Sequence, residues 1–199
     1  MAYPNNDWTW DNFLEAAKKL TLDKSNAGKV NQWGFGVLNF VWNWAGFVWG
    51  NGGEILSPDR KKSHFADPKT VEALKFYFGL LTDQKVSPPP GALPEQATAL
   101  DQFRLQSVAM GLFGPWWRPT LVGLPENNKF KWDVAYPPKA PSTGKRATVV
   151  YTDHWSIGSG SKVPNETFAF MRFLAGKDGQ LMWTDLLGAR SISPVKEVA

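Results

Sequence analysis

Residues 110–118 read MGLFGPWWR. An apolar run with the composition of a strand meets Gly114-Pro115 and then presents two adjacent tryptophans and an arginine. Proline fixes φ and removes a backbone donor, so a strand cannot run through it. Neighbouring residues on a strand point to opposite faces, and on a helix they diverge as well. The two indoles therefore cannot both fill one core in the same way. At least one of them is expected elsewhere.

Working outward, the 199-residue chain divides into alternating segments of helix and strand character. TWDNFLEAAKKLT carries Thr9 as an N-cap, with Trp10, Phe13, Leu14, Ala17 and Leu20 at helical spacing. Trp33 to Leu38 alternates around glycines and reads as a short strand or extended segment. VWNWAGFVWGNGGEIL reads as a helix ended by Asn51-Gly52-Gly53, followed by a loop or short hairpin over 54–66. Asp67-Pro68 opens the clearest helix, with Asp capping and Pro in the first turn; Val71, Leu74, Phe78 and Leu81 line one face. KVSPPPGALPEQ is a Pro-rich break. TALDQFRLQ reads as a helix and SVAMGLF as a strand, and WWRPTLVGL starts another helix. FKWDVAYPP and ATVVYTDHWSIGS are β-forming, with the loop KAPSTGKR between them. The last quarter reads as two helices broken at Gly176-Lys177-Asp178-Gly179. Interleaved elements of this kind indicate an α/β or α+β class with helix dominant.

Composition narrows the chemistry. The hydrophobic fraction of 43% suffices for a sizeable core. No apolar run reaches the length of a membrane span, and Met1 is followed by AYPNND, which is not a secretory signal. The chain has no cysteine, which removes disulfides, thiol nucleophiles and thiolate zinc sites. Its two histidines, His64 and His154, lie far apart and belong to no metal-ligand motif, so neither a metal nor a cofactor is expected. Phosphate-loop, dinucleotide and nucleophile-elbow motifs are absent. Net charge is +4 and the pI about 9.2, yet the basic residues are scattered. The one tight run, Arg60-Lys61-Lys62, reads as a solvated turn, so nucleic acid is not expected as a partner.

The unusual total is aromatic: 11 Trp and 13 Phe. Indole offers a flat apolar face and an N–H at the rim. That pairing suits a sugar, whose C–H face stacks while its hydroxyls bond to nearby polar groups. Trp8, Trp10, Trp132 and Trp183 fall on periodic positions and are expected in the core or at its rim, as is Trp33. Trp42, Trp44, Trp116, Trp117 and Trp155 sit beside loops or polar residues and are open to either role.

The ordered set TWDNFLEAAKKLT, WGFG, WGNGGEIL, FADPKTVEALKFYFGLL, FRLQSVAMGLFGPWW, FKWDVAYPP and SKVPNETFAFMRFLAG resembles the extracellular solute-binding proteins of carbohydrate ABC importers, the maltose-binding-protein-like kind. The resemblance covers nearly the whole chain. It implies an α/β fold, a helix-rich lobe of periplasmic-binding-protein type II with part of the other lobe. By it, residues 1–147 are most of the C-terminal lobe, 148–190 a crossing strand and helical pair of the N-terminal lobe, and 191–199 the start of a tail. The family's segment ahead of the TW helix, its signal peptide and its lipid-anchor cysteine have no counterpart here, so the resemblance implies a fragment of a longer parent. The implied function is sugar or oligosaccharide binding in an inter-lobe cleft and delivery to a membrane permease, without catalysis. The parent would be monomeric, lipid-anchored, and periplasmic or extracellular. The Gly-Pro-Trp turn matches the family's stacking tryptophan, pointing to Trp116. The aromatic ahead of the Gly-Gly helix end aligns with Trp42, with Trp44 as alternative. The crossing strand offers Asp153, His154 and Trp155, and Arg118 and Asn39 are hydrogen-bonding candidates. For Asp153 and His154 an interstrand or capping pair is the competing role. A glycoside hydrolase fragment and a basic polyanion-binding domain are the competing functions.

Overall fold

A computed structural model of the 199-residue chain describes residues 3–93, 99–150, 152–187 and 192–198. It divides into two compact units: Met1–Leu112 with Trp132–Val150, and Phe113–Lys131 with Tyr151–Ala199.

The first unit is built on four helices: α1 (Trp10–Lys19), α2 (Val41–Gly50), α3 (Pro68–Thr82) and α4 (Ala99–Arg104). Thr9 caps α1 as its sequence suggests. The Thr9 hydroxyl accepts from the Asn12 N–H while the Asn12 side chain accepts from the Thr9 N–H, a capping box with Asn in the usual Glu position. Trp10, Phe13, Ala16 and Ala17 are buried from α1. Helix α2 ends at an Asn51 cap, with Gly52 beyond it at φ +74°, where a Cβ would be strained.

Ala73, Tyr77 and Leu80 of α3 are fully buried, and Val71, Leu74, Phe78 and Leu81 lie half-buried, Leu74 and Phe78 against the core. The expected cap is corrected. Asp67 makes no side-chain cap bond. Its carboxylate is held by His64 Nδ1 at 2.6 Å, and an acidic group so engaged cannot also turn to the helix N–H groups.

The core is an aromatic mesh. Phe13 meets Phe35 edge-on at 5.0 Å, Trp10 stacks on Phe76 at 4.4 Å, and Phe47 packs on Tyr77 at 5.2 Å. Edge and offset contacts of this kind match the ring quadrupoles.

Among the described residues the expected β segments do not form regular strands. Among the described residues β structure is limited to isolated bridges, including parallel Trp33 with Val108 and antiparallel Leu56 with Ser63. The extended segment at 33–36 shows why. The Trp33 N–H donates to Ser107, Phe35 to Val86 and Gly36 to Met110, so its bonds alternate between two partners instead of forming one ladder. The 54–66 hairpin is present in short form, closed by Ser57 to Lys62 and His64 to Ile55.

The second unit carries a 3-10 turn at Pro115–Trp117, the short α5 (Arg118–Val122), a further 3-10 turn at Glu126–Asn128, and the helices α6 (Pro164–Ala175) and α7 (Lys177–Leu187), which pack on one another. The break between α6 and α7 is Gly176 alone; Gly179, expected in the break, lies inside α7. A Cβ at Gly179 would stand 2.3 Å from the Phe173 carbonyl oxygen, so glycine here lets α7 close onto the end of α6. Helix α6 buries no residue completely, and Phe168, Phe170 and Phe173 are exposed along it.

Candidate functional site

The candidate residues fall on both units. Asn39, Trp42 and Trp44 belong to the first, and Trp116, Arg118, Asp153, His154 and Trp155 to the second.

In the first unit the geometry starts from a buried phenol. Tyr77 of α3 is fully buried, and its hydroxyl donates to the Leu38 carbonyl and accepts from the Leu38 N–H, both at 3.0 Å. Burial pushes this phenol well above the usual tyrosine range, because the charged phenolate would lose its hydration. The clamp fixes the chain just before Asn39, which is exposed, and before the start of α2. There Phe40, at the N-cap, and Trp42 stack with centroids 4.8 Å apart and planes 4° from parallel. Both rings remain about half exposed, at 51% and 45%. Rings kept half exposed in this way offer apolar surface to another flat face. Trp44 is differently placed. It packs against the core and meets Phe65 edge-on at 5.7 Å, so it braces the α2 start from beneath.

Asn43, one residue past Trp42, is 1% exposed and donates Nδ2 to the Leu112 carbonyl. Its buried Oδ1 has no partner among the described residues. The bond ties the first turn of α2 to the end of the apolar run that leads into Gly114-Pro115-Trp116.

In the second unit, Trp116 and Trp117 part company as the sequence requires. Trp117 packs on Phe113, centroids 4.2 Å apart. Trp116 is half-buried and folds back over Gly114. Arg118 is exposed and its backbone N–H closes the 3-10 turn onto Pro115. Asp153, His154 and Trp155 lie on an exposed stretch without a strand partner among the described residues. His154 Nε2 is 3.1 Å from the Thr152 hydroxyl, and Trp155 meets Trp183 edge-on at 6.3 Å. Trp183, expected in the core or at its rim, is 39% exposed.

Sequence reading missed Phe40, Asn43 and Tyr77. Phe40 precedes the helical period and so had no pattern to belong to. Its spacing of two from Trp42, at a helix start, was the available signal. Asn43 and Tyr77 act through backbone groups that no motif announces.

Among the described residues no group of three or more His, Asp or Glu side chains could hold a metal ion. No described helix is long and apolar enough to cross a membrane.

Residues 2–181 match the family model described as bacterial extracellular solute-binding protein. Among solved structures, an ABC substrate-binding protein from Listeria monocytogenes, in complex with cycloalternan, is similar to this chain at TM-score 0.76 and 25% identity. The match covers 100% of this chain and 48% of that one. An ABC transporter solute-binding protein from Thermotoga lettingae, bound with alpha-D-tagatose, matches at TM-score 0.70 and 27% identity, covering 92% of this chain and 46% of that one. The maltose/maltodextrin-binding domain from Bdellovibrio bacteriovorus, bound to maltotriose, shares the fold at TM-score 0.67 and 18% identity, covering 100% and 54%. The chain thus spans about half the length of these relatives. They are binding proteins rather than enzymes, and their fold is the helix-rich α/β type II of periplasmic binding proteins. No curated protein gives a significant match.

Proposed function

Because this chain belongs to the bacterial extracellular solute-binding protein family, matched over residues 2–181, we propose that it serves in binding a sugar or oligosaccharide for delivery to an ABC importer permease. The observation that carries this reading is the Phe40–Trp42 stack, held half exposed at the start of α2 by the Tyr77 clamp. A pyranose ring presents axial C–H groups to such a plate and keeps its equatorial hydroxyls for polar neighbours, here Asn39. Trp116 is the corresponding stacking residue of the second unit, and Arg118, Asp153, His154 and Trp155 are the further candidate contacts to the sugar. Trp44 supports Trp42 and does not itself meet the sugar. The sugar complexes of the similar proteins support the ligand class, and the family's extracellular character supports a place outside the cytoplasm.

In the same reading, residues 1–147 belong to one lobe of a cleft-type binder and 148–190 to the other. The change of compact unit after Val150 supports that division, while 113–131 group with the later residues.

The test is a thermal-shift screen with cycloalternan, maltotriose, D-tagatose and ribitol. A ligand that binds only the native state, present at a hundredfold over its Kd, adds about 2.7 kcal/mol. A rise in Tm of several degrees with at least one sugar is expected, and it should shrink in Trp42→Ala and in Trp116→Ala. If no sugar raises Tm, or if both variants respond like the parent, the reading is wrong.

A further inference from the structure

The Gly-Pro-Trp turn contains a residue whose missing side chain governs a neighbour. A Cβ built on Gly114 would stand 2.0 Å from Cζ3, 2.1 Å from Cη2 and 2.4 Å from Cε3 of Trp116. These are three consecutive atoms of the six-membered ring, all at nearly the same distance. An approach within the ring plane would bring one atom close and leave its neighbours clearly farther away. The Cβ position therefore lies against the face of the indole. Trp116 folds back so that one face covers the Gly114 backbone.

Conformation alone does not demand glycine here. Gly114 has φ −96° and ψ 163°, an extended geometry that alanine adopts without strain. The three heavy atoms nearest to a Cβ at 114 all belong to the Trp116 ring. An indole is hinged at two torsions, and it is the part that would move. We propose that Gly114 is a positioning residue for the Trp116 platform: by having no side chain, it sets the rotamer in which that indole is presented, and stacking uses the face turned away from Gly114. Its link to sugar affinity rests on the reading of Trp116 given above; its control of the ring does not.

Two measurements separate these. In protein labelled with 5-fluorotryptophan, the Trp116 resonance is assigned by its loss in Trp116→Phe. Gly114→Ala is expected to move that line well beyond any other while Tm stays near the parent value. Maltotriose and cycloalternan titrations are expected to weaken in Gly114→Ala about tenfold, as far as in Trp116→Ala, a step equal to one decade in Kd. The double variant Gly114→Ala/Trp116→Ala should then bind no more weakly than Trp116→Ala alone, because the two changes act through one ring. An unmoved Trp116 line in Gly114→Ala, or losses that add in the double variant, would overturn the proposal. Should Gly114→Ala fail to fold, recovery of the fold in the double variant supports the contact, and failure to recover refutes it. A Trp116→Ala protein with unchanged titrations would remove the sugar reading instead, with the resonance shift still deciding the role of Gly114.

Discussion

In the first compact unit the aromatic rings face one another; in the second, along α6 and α7, they face solvent. Trp10, Phe13, Phe35, Phe47 and Tyr77 are at most 5% exposed, whereas Phe168, Phe170 and Phe173 are 47% exposed or more. Helices α1 and α6 are of similar length and both carry apolar residues at helical spacing, although only α1 has a side-chain N-cap. The difference is what stands opposite. Helices α1, α2 and α3 have one another and the extended segment at 33–36 to pack on. Helix α6 packs on α7, and none of its residues is buried. An apolar face is thus a demand for a partner, and the partner decides whether it becomes core.

That contrast can be broken by mutation. Removing a ring from the mesh should have the largest effect: Phe47→Ala is expected to cost about 3–5 kcal/mol, because it deletes transfer energy and leaves a cavity among rigid neighbours. Phe170→Ala on α6 should stay within about 0.5 kcal/mol, as for an exposed position. Chemical denaturation of both variants checks the pair, and equal losses would erase the distinction drawn between the units.

Gly179→Ala comes next. The added methyl would meet the Phe173 carbonyl oxygen, so α7 must back away from α6, at about 1–3 kcal/mol. Faster hydrogen exchange confined to 164–187 would show it, whereas unchanged protection there would mean that the helix pair is already loose.

Tyr77→Phe sharpens the comparison from inside the mesh. It keeps the ring and removes the hydroxyl, leaving both Leu38 backbone groups without their partner, for about 1–3 kcal/mol. The phenol also carries a pH dependence of definite sign. Its folded-state pKa is raised by burial, so the unfolded chain loses that proton first. Its contribution is complete below an unfolded pKa of about 10 and declines as pH climbs beyond it. Stability measured from pH 8 to 11 should therefore fall less steeply in Tyr77→Phe than in the parent. Parallel slopes would show that Tyr77 is not sealed.

His64→Ala should have the smallest effect. It deletes a partly exposed side-chain contact worth at most about 1 kcal/mol and releases the Asp67 carboxylate to cap α3. A near-neutral change in Tm is expected; a large loss would mean that the pair does more than hold the hairpin end.

These contrasts also explain how much could be read from the chain. Helix α1 was legible because its cap, its period and its buried face all agree. Helix α2 was legible from its glycine end, and the shared fate of Trp116 and Trp117 was excluded by their adjacency. The fully buried positions of α3 were not legible, because its apolar residues form two overlapping stripes, and the packing of Tyr77 decides which one is sealed. The β segments were overestimated for a different reason. A strand is a relation between two backbones, and 147–159 holds the residues of a strand without a neighbouring edge among the described residues. At the candidate site, the sequence named Trp42 and Trp116 through resemblance, but Phe40, Tyr77 and Gly114, which hold those rings in place, work by contact across distance or by the lack of a side chain.

The sharpest test of sugar binding is a titration of maltotriose and cycloalternan into the parent protein and into Trp42→Ala/Trp116→Ala, followed by calorimetry. Expected is saturable binding of at least one sugar by the parent, weakened about a hundredfold or more when both indoles are gone, at roughly one decade per stacking ring. Equal affinity in the two proteins, or no binding to the parent at all, would contradict the assignment of these tryptophans as the sugar's platforms.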